Sequence, residues 1–413
     1  MKNKIFLNFF ILNLEKYFSI LSGIIISGIL ARALGNQNYG EFQYLLSVVA
    51  IFSALSFFCG AEVLLPKLVE NKKSDKINII LNAVFFIRLS AGFLAAVLFF
   101  IFYYINNGWH IGLIFFIVIF LKEALCVSIV WFQSESLNRI IGYVFLFSNT
   151  LKLLIISALY YFDFHSITLF VFIYAFDMLM PVIVIFYLFF LKSNHKIGTL
   201  STSELFDFAK NIFYQSLPFF GGVVGMICFK KMDKIIIKDA ISETDYSMYV
   251  VASQVYENLL FVGVLVLTVL APTLIYSKIN LNEIVLGVSK IMKFQFSMYV
   301  LISIFCYFFI GDFINVVFGH QYLGAIEYIH LFVFLIFLVF LDESISVLYL
   351  KYKKGNIFFI KWMLMVIIFV VSYFMLFKNY FANGLIFSYI GSYSFILIFH
   401  FFAIKIKKCL IFE

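Results

Sequence analysis

The chain has 413 residues, of which 64% are hydrophobic, 21% aromatic and only 13% charged. Soluble domains are roughly 45–50% apolar and about 25% charged, so a soluble fold could not hide this much apolar surface. Disorder, which needs low hydrophobicity, is excluded as well. The net charge of +8 would suggest nucleic acid in a soluble protein; here its distribution along the chain decides what it means.

A helix needs about 20 apolar residues to cross the bilayer. In chain order, apolar runs between polar breaks predict twelve transmembrane helices, near 9–34, 38–62, 77–105, 110–135, 140–161, 166–191, 212–236, 246–276, 286–310, 324–350, 357–377 and 383–404. Only Gly35–Tyr39 divides the first two. The first run is too long for a signal peptide and no small-residue cleavage site follows it, so it is expected to remain as an anchor. The expected fold class is therefore all-α, with two six-helix lobes, 1–191 and 212–413, joined by a linker at 192–211. Within the linker, Ser201-Thr202-Ser203-Glu204 has capping-box spacing. Leu205, Phe208, Ala209 and Ile212 follow at helical spacing and predict a short amphipathic helix on the membrane surface.

The polar breaks alternate in charge. One set holds seventeen basic residues, from Lys2 and Lys4 through Lys67–Lys76, Arg139, Lys192–Lys210, Lys278 and Lys351–Lys354 to Lys405–Lys408. The other set holds Lys238 and Lys378, with Arg32 and Lys234 at its rim. Cytoplasmic loops are the Lys- and Arg-rich ones, so both termini are expected in the cytoplasm. Anionic lipid headgroups suffice as partners for this basic rim, and no nucleic-acid partner is expected. The five cysteines form no CxxC and read as inert, mostly buried thiols, with no metal site or disulfide framework. The two halves also align weakly: Ala31–Tyr39 matches Lys238–Tyr246, and Pro66 matches Pro272 at nearly the same offset. Parallel six-helix repeats are a recurring transporter architecture, with the substrate path between the halves.

Ionisable groups at bilayer depth cost ~2.5–3.5 kcal/mol each on insertion scales and persist where they pair or line a wet cavity. Span 1 carries Asn8, Glu15, Ser19 and Ser22 on one face, with Lys16 beside them. Arg88 sits near the middle of span 3, where its guanidinium suits either a bidentate phosphate or a buried structural pair. Span 4 carries Lys122 and Glu123, span 5 Asn149 and Lys152, and span 6 Asp177 one turn before Pro181. Lys230, Lys231, Asp233 and Lys234 follow in span 7, Gln254, Glu257 and Asn258 in span 8, and Lys293 in span 9. Lys16, Lys210 and Lys293 also read as snorkelling chains; Lys122–Glu123 and Asp233–Lys234 read equally as neutralising neighbours. The candidate lumen residues are Glu15, Arg32, Arg88, Lys122, Lys152, Lys231, Asp233 and Glu257, and the modest cationic excess within the spans suits an anionic cargo. Pro218, Gly221, Gly222 and Gly225 share one face of span 7 and suit close packing or a hinge. No HExxH or GxSxG occurs, and Glu327/His330 and Asp342-Glu343 are isolated pairs near the membrane surfaces, so no enzymatic activity is expected.

Ala31-Arg32-Ala33-Leu34-Gly35 with Tyr39-Gly40 resembles the A-R-x-L-G-x-x-x-Y-G opening of Wzx-type polysaccharide repeat-unit flippases, in the MATE-like (MOP) exporter superfamily. Lys231-Met232-Asp233 followed by Tyr246 is similar to that family's mid-chain segment, and Gly319-His320-Gln321-Tyr322 to its G-x-x-Y outer loop. The resemblance spans essentially the whole chain. It implies a MATE-like fold in the bacterial inner membrane. The implied cargo is an undecaprenyl-pyrophosphate-linked oligosaccharide, moved to the outer leaflet by alternating access for O-antigen or capsule synthesis. It further implies proton or sodium coupling without a bound cofactor, and a polysaccharide polymerase and chain-length regulator as partners. Arg32, Arg88, Lys122 and Lys152 would then meet pyrophosphate or acidic sugars. Two rivals stay open: a multidrug exporter of the same superfamily, which would favour acidic cation-binding residues, and a polysaccharide polymerase or glycosyltransferase, which often carries a large outer loop that this chain lacks.

Overall fold

A computed structural model describes residues 2–72, 74, 76–107, 110–193, 203–352 and 354–406. Residues 194–202 of the expected linker, Ser201 and Thr202 among them, lie outside these residues, as do Lys73, Lys353, Lys407, Lys408 and Cys409; the Asn8 side chain is likewise not described. The described residues form twelve α-helices and no strand. They are α1 (Lys2–Ala54), α2 (Ala61–Glu70), α3 (Lys76–Asn107), α4 (His110–Leu125), α5 (Val127–Ser134), α6 (Asn138–Tyr161), α7 (Ile167–Lys192), α8 (Ser203–Ile237), α9 (Glu243–Ala271), α10 (Leu281–Val317), α11 (Ala325–Lys351) and α12 (Gly355–Ile406).

Among the described residues, eleven segments are long and apolar enough to cross a membrane. The first, Leu14–Ala54, has 41 residues; as one straight helix it would measure about 60 Å, roughly twice the hydrocarbon core. Gly35, at φ 70° and ψ 179°, breaks it where the sequence divides the first two spans. Glycine reaches this backbone region without the Cβ clash other residues incur. α12 is broken in the same way at Phe381 (φ 46°). It folds back there, because the rings of Phe369 and Tyr389 lie 4.5 Å apart. Dividing the first segment at Gly35 recovers the twelve expected spans. Many large side chains stay exposed, Leu94, Leu154, Phe308 and Phe374 among them, as lipid-facing helices require.

Several boundaries differ from the sequence reading. The described part of the expected short amphipathic helix is continuous with span 7 in α8, which begins at Ser203, and α10 runs to Val317, past the expected end of span 9 at 310. Span 2, expected to run to residue 62, stops at Ala54, and Leu55–Gly60 form an irregular turn before α2. Span 4 is broken at Cys126 into α4 and α5.

The chain divides into two compact units, Met1–Leu34 with Leu45–Ile227, and Gly35–Tyr44 with Cys228–Glu413. In the first, Leu64, Leu68, Ile77, Leu81, Trp131, Phe132 and Phe189 form a core in which α2, α3, α5 and α7 meet. Helices α3 and α4 approach so closely that a Cβ on Gly92 would lie 2.6 Å from the Phe120 carbonyl oxygen; glycine is what permits this contact.

In the second unit, α9, α10 and α11 pack around Val266, Ile275, Ile284, Ile291 and Val347. The segments that carry the family resemblance converge here. Gly40 sits against the Tyr246 ring, where an added Cβ would be 2.9 Å from Cδ1. Tyr39 meets Tyr322 edge-on at 6.1 Å, and the Tyr246 hydroxyl donates to the Lys234 carbonyl at 2.9 Å.

Candidate substrate cavity

The cavity that gathers the most chemistry lies within the second unit and measures about 330 Å³. α9 supplies Ser253, Tyr256, Glu257, Leu260 and Val264, a spacing of three and four that presents one helix face. α8 adds Phe229, Lys230, Lys231 and Asp233, α11 adds Phe332 and Glu343, and α12 adds Tyr389 and Tyr393.

Glu257 is the electrostatic hub. Its two carboxylate oxygens accept from the Lys231 ammonium, each at 2.8 Å, and Oε1 also accepts from Lys234 at 2.9 Å. The Lys234 side chain is only 1% exposed, so without this carboxylate it would be a buried unpaired charge. Asp233 is 2% exposed and its Oδ2 accepts from the Tyr249 hydroxyl at 2.7 Å. Asp233 Oδ1 and Glu343 Oε2 are buried and make no hydrogen bond.

The aromatic wall is rigid. Tyr256 stacks on Phe332 at 4.6 Å. Phe229 is held edge-on by Tyr389 and Tyr393, and the Tyr389 hydroxyl donates to the Phe229 carbonyl at 2.8 Å. A second buried polar cluster joins α11 to α12. Asp342 accepts from Lys361 at 2.6 Å and pairs with His400 Nε2 at 2.7 Å, while His400 Nδ1 lies 2.5 Å from the Tyr349 hydroxyl. Lys361 also donates to Ser346 at 2.7 Å. Among the described residues, no three His, Cys, Asp or Glu side chains are gathered as a metal site.

Of the eight residues singled out from the sequence, Lys231, Asp233 and Glu257 meet at this cavity. The others lie elsewhere. Arg88, 1% exposed, sits in the first unit, and its guanidinium donates to the carbonyls of Phe58 (2.7 Å), Cys59 (2.9 Å) and Glu123 (3.0 Å). Lys152 pairs with Asp177 at 2.5 Å, tying α6 to α7, with Ser148 donating to the same carboxylate at 2.8 Å. Lys122 is about one-third exposed and 3.9 Å from Glu123. Glu15 is half-buried on α1, and Arg32 is exposed.

The cationic excess expected of the lumen is absent at this cavity: Lys230 and Lys231 face Asp233, Glu257 and Glu343. Sequence reasoning set Asp342-Glu343 aside as an isolated pair near a membrane surface, whereas Asp342 is buried against Lys361 and His400 and Glu343 lines the cavity; it missed Lys361, His400 and the tyrosines of α12. Lys361 and His400 carried a usable signal, because both are ionisable residues inside apolar spans.

A family model described as "polysaccharide biosynthesis protein" matches residues 5–278. The chain belongs to that family. This polysaccharide biosynthesis protein shares its fold with solved membrane proteins of the MOP superfamily. A lipid II flippase, MurJ, in an inward closed conformation aligns with TM-score 0.70 and 13% identity, over 95% of this chain and 87% of that one. A multidrug resistance MATE transporter in an inward-facing conformation aligns with TM-score 0.68 and 11% identity, over 96% of this chain and 95% of that one. The eukaryotic MATE transporter AtDTX14 aligns with TM-score 0.61 and 13% identity, over 97% and 94%. Among curated proteins, none matches the sequence. The family and the spans together make this a multi-pass membrane protein.

Proposed function

We propose that the protein is a flippase for undecaprenyl-pyrophosphate-linked oligosaccharide repeat units, moving them from the cytoplasmic to the outer leaflet by alternating access. In this reading it serves O-antigen or capsule synthesis, has both termini in the cytoplasm, is driven by a proton or sodium gradient, and hands its cargo to a polymerase and chain-length regulator. The observation that carries it is a cavity with charged side chains, Lys230, Lys231, Asp233, Glu257 and Glu343, in its lining, inside an apolar helical unit of a chain of a polysaccharide biosynthesis family. Charged groups at membrane depth are costly and are retained along substrate paths. A sugar headgroup needs such a path; a lipid tail does not.

The test is leaflet-resolved analysis of lipid-linked oligosaccharide in a strain lacking the gene. Single repeat units accumulating on the cytoplasmic leaflet, with surface polymer lost, support the reading. Accumulation on the outer leaflet refutes it in favour of a polymerase. A second reading, a multidrug exporter, is favoured by the acidic Asp233, Glu257 and Glu343 at the cavity; unchanged glycolipid together with increased drug sensitivity would support it.

A further inference from the structure

We infer that the second-unit cavity takes an uncharged sugar residue of the cargo, neutral or N-acetylated, and not the pyrophosphate or an acidic sugar. This rests on the flippase reading and names what that cavity recognises.

Hydrogen-bonding capacity decides it. A phosphate or carboxylate needs donors and positive charge, yet Lys231 and Lys234 are both engaged by Glu257. Apart from the Lys230 ammonium, what remains unmet is acceptor capacity. Asp233 is 98% buried, lines the cavity, and leaves Oδ1 without a partner; Glu343 Oε2 is in the same condition. An anion there would meet two carboxylates, each with one oxygen that has no donor. Sugar hydroxyls and an acetamido N–H supply donors, and the exposed Lys230 ammonium on the same wall can donate to a sugar oxygen. Burying a carboxylate oxygen without a partner costs the full desolvation penalty, so a donor-rich ligand relieves a cost that Asp233 and Glu343 otherwise carry.

Shape agrees with charge. The volume of about 330 Å³ lies at the low end of small-molecule sites, room for a sugar residue but not for a whole repeat unit. The aliphatic C–H face of a pyranose packs on flat apolar rings, and Tyr256, Tyr389 and Tyr393 offer them already held by ring contacts and a backbone hydrogen bond. Such preorganisation reduces the ordering cost of binding.

The test uses the full-length protein in lipid nanodiscs and saturation-transfer NMR. The probes are methyl N-acetylglucosaminide, methyl glucoside, methyl glucuronide, inorganic pyrophosphate and tetraphenylphosphonium. The expected result is transfer to the ring protons of the neutral and N-acetylated glycosides, at least threefold above the glucuronide and undiminished by pyrophosphate. Asp233→Asn keeps an acceptor for Tyr249 but puts an N–H₂ where the free oxygen was, and should reduce the signal at least threefold; Glu343→Gln should do the same. Equal or stronger transfer to the glucuronide, competition by pyrophosphate, displacement by tetraphenylphosphonium, or no transfer to any glycoside overturns the inference. The wild-type comparison decides alone if a variant does not fold. Failure here with cytoplasmic-leaflet accumulation in the deletion strain sinks the sugar site and leaves the flippase standing. Glycoside binding without that accumulation sinks the flippase instead.

Discussion

Arg88→Met separates a structural guanidinium from a transport residue. Leu55–Gly60 leave helical geometry between α1 and α2, and the Phe58 and Cys59 carbonyls accept no backbone hydrogen bond among the described residues. Irregular backbone at membrane depth persists only where its polar groups are met by protein or lie along a cavity. Arg88 meets both carbonyls and a third on α4, and its Cζ lies 5.4 Å from the Phe57 ring. Replacing it with an isosteric apolar chain orphans at least two buried carbonyls at about 1–3 kcal/mol each. Removing a buried charge returns part of that by relieving its desolvation. The net expectation is a loss of roughly 3 kcal/mol, a Tm decrease of about 6–12 °C for a unit of this size. Arg88→Lys should recover little, because an ammonium lacks the planar fork that reaches diverging acceptors. The assay is thermal unfolding of detergent-solubilised protein, with surface polymer in cells as the parallel readout. An unchanged Tm with lost polymer would refute the argument and put the guanidinium in the cargo path.

Glu257→Gln should leave Lys231 and the buried Lys234 without their carboxylate and cost about 3–5 kcal/mol; adding Lys234→Met should restore part of the lost Tm, and no restoration would mean the hub is not electrostatic. Lys152→Met and Asp177→Leu should each destabilise the first unit, while the double variant should be less harmed than the sum, with a thermal-denaturation cycle giving a coupling of at least about 1 kcal/mol. Gly92→Ala would drive its Cβ into the Phe120 carbonyl and should cost about 1–3 kcal/mol; an unchanged Tm would show that α3 and α4 separate freely.

The spans were legible because a bilayer demands about 20 apolar residues and tolerates polar breaks only at its faces. That logic found the divide at Gly35 and the one near Phe381. It could not find the end of span 2, since Leu55–Phe58 are as apolar as the helix before them. Their turn depends on Arg88, far along the chain. The pairs were also hidden. Lys231 and Glu257, or Lys152 and Asp177, were visible as costly residues, but only helix packing says which charge faces which. The cationic excess counted over the spans does not reappear at this cavity, because counting charges along spans cannot tell a lysine already neutralised from one turned to a cavity. On α12, Lys361 and His400 are ionisable residues inside apolar spans and carry the same signal as the pairs above.

The meeting of Tyr39, Gly40, Tyr246 and Tyr322 in the second unit has a consequence for retargeting. These residues carry the family's signature, yet what they do here is hold one another, so the signature identifies a joint and is blind to what is carried. Two proteins could share it entirely and transport different sugars. On the flippase reading proposed above, cargo choice is then exchangeable by grafting a few residues of α8, α9 and α11 while these contacts are left untouched.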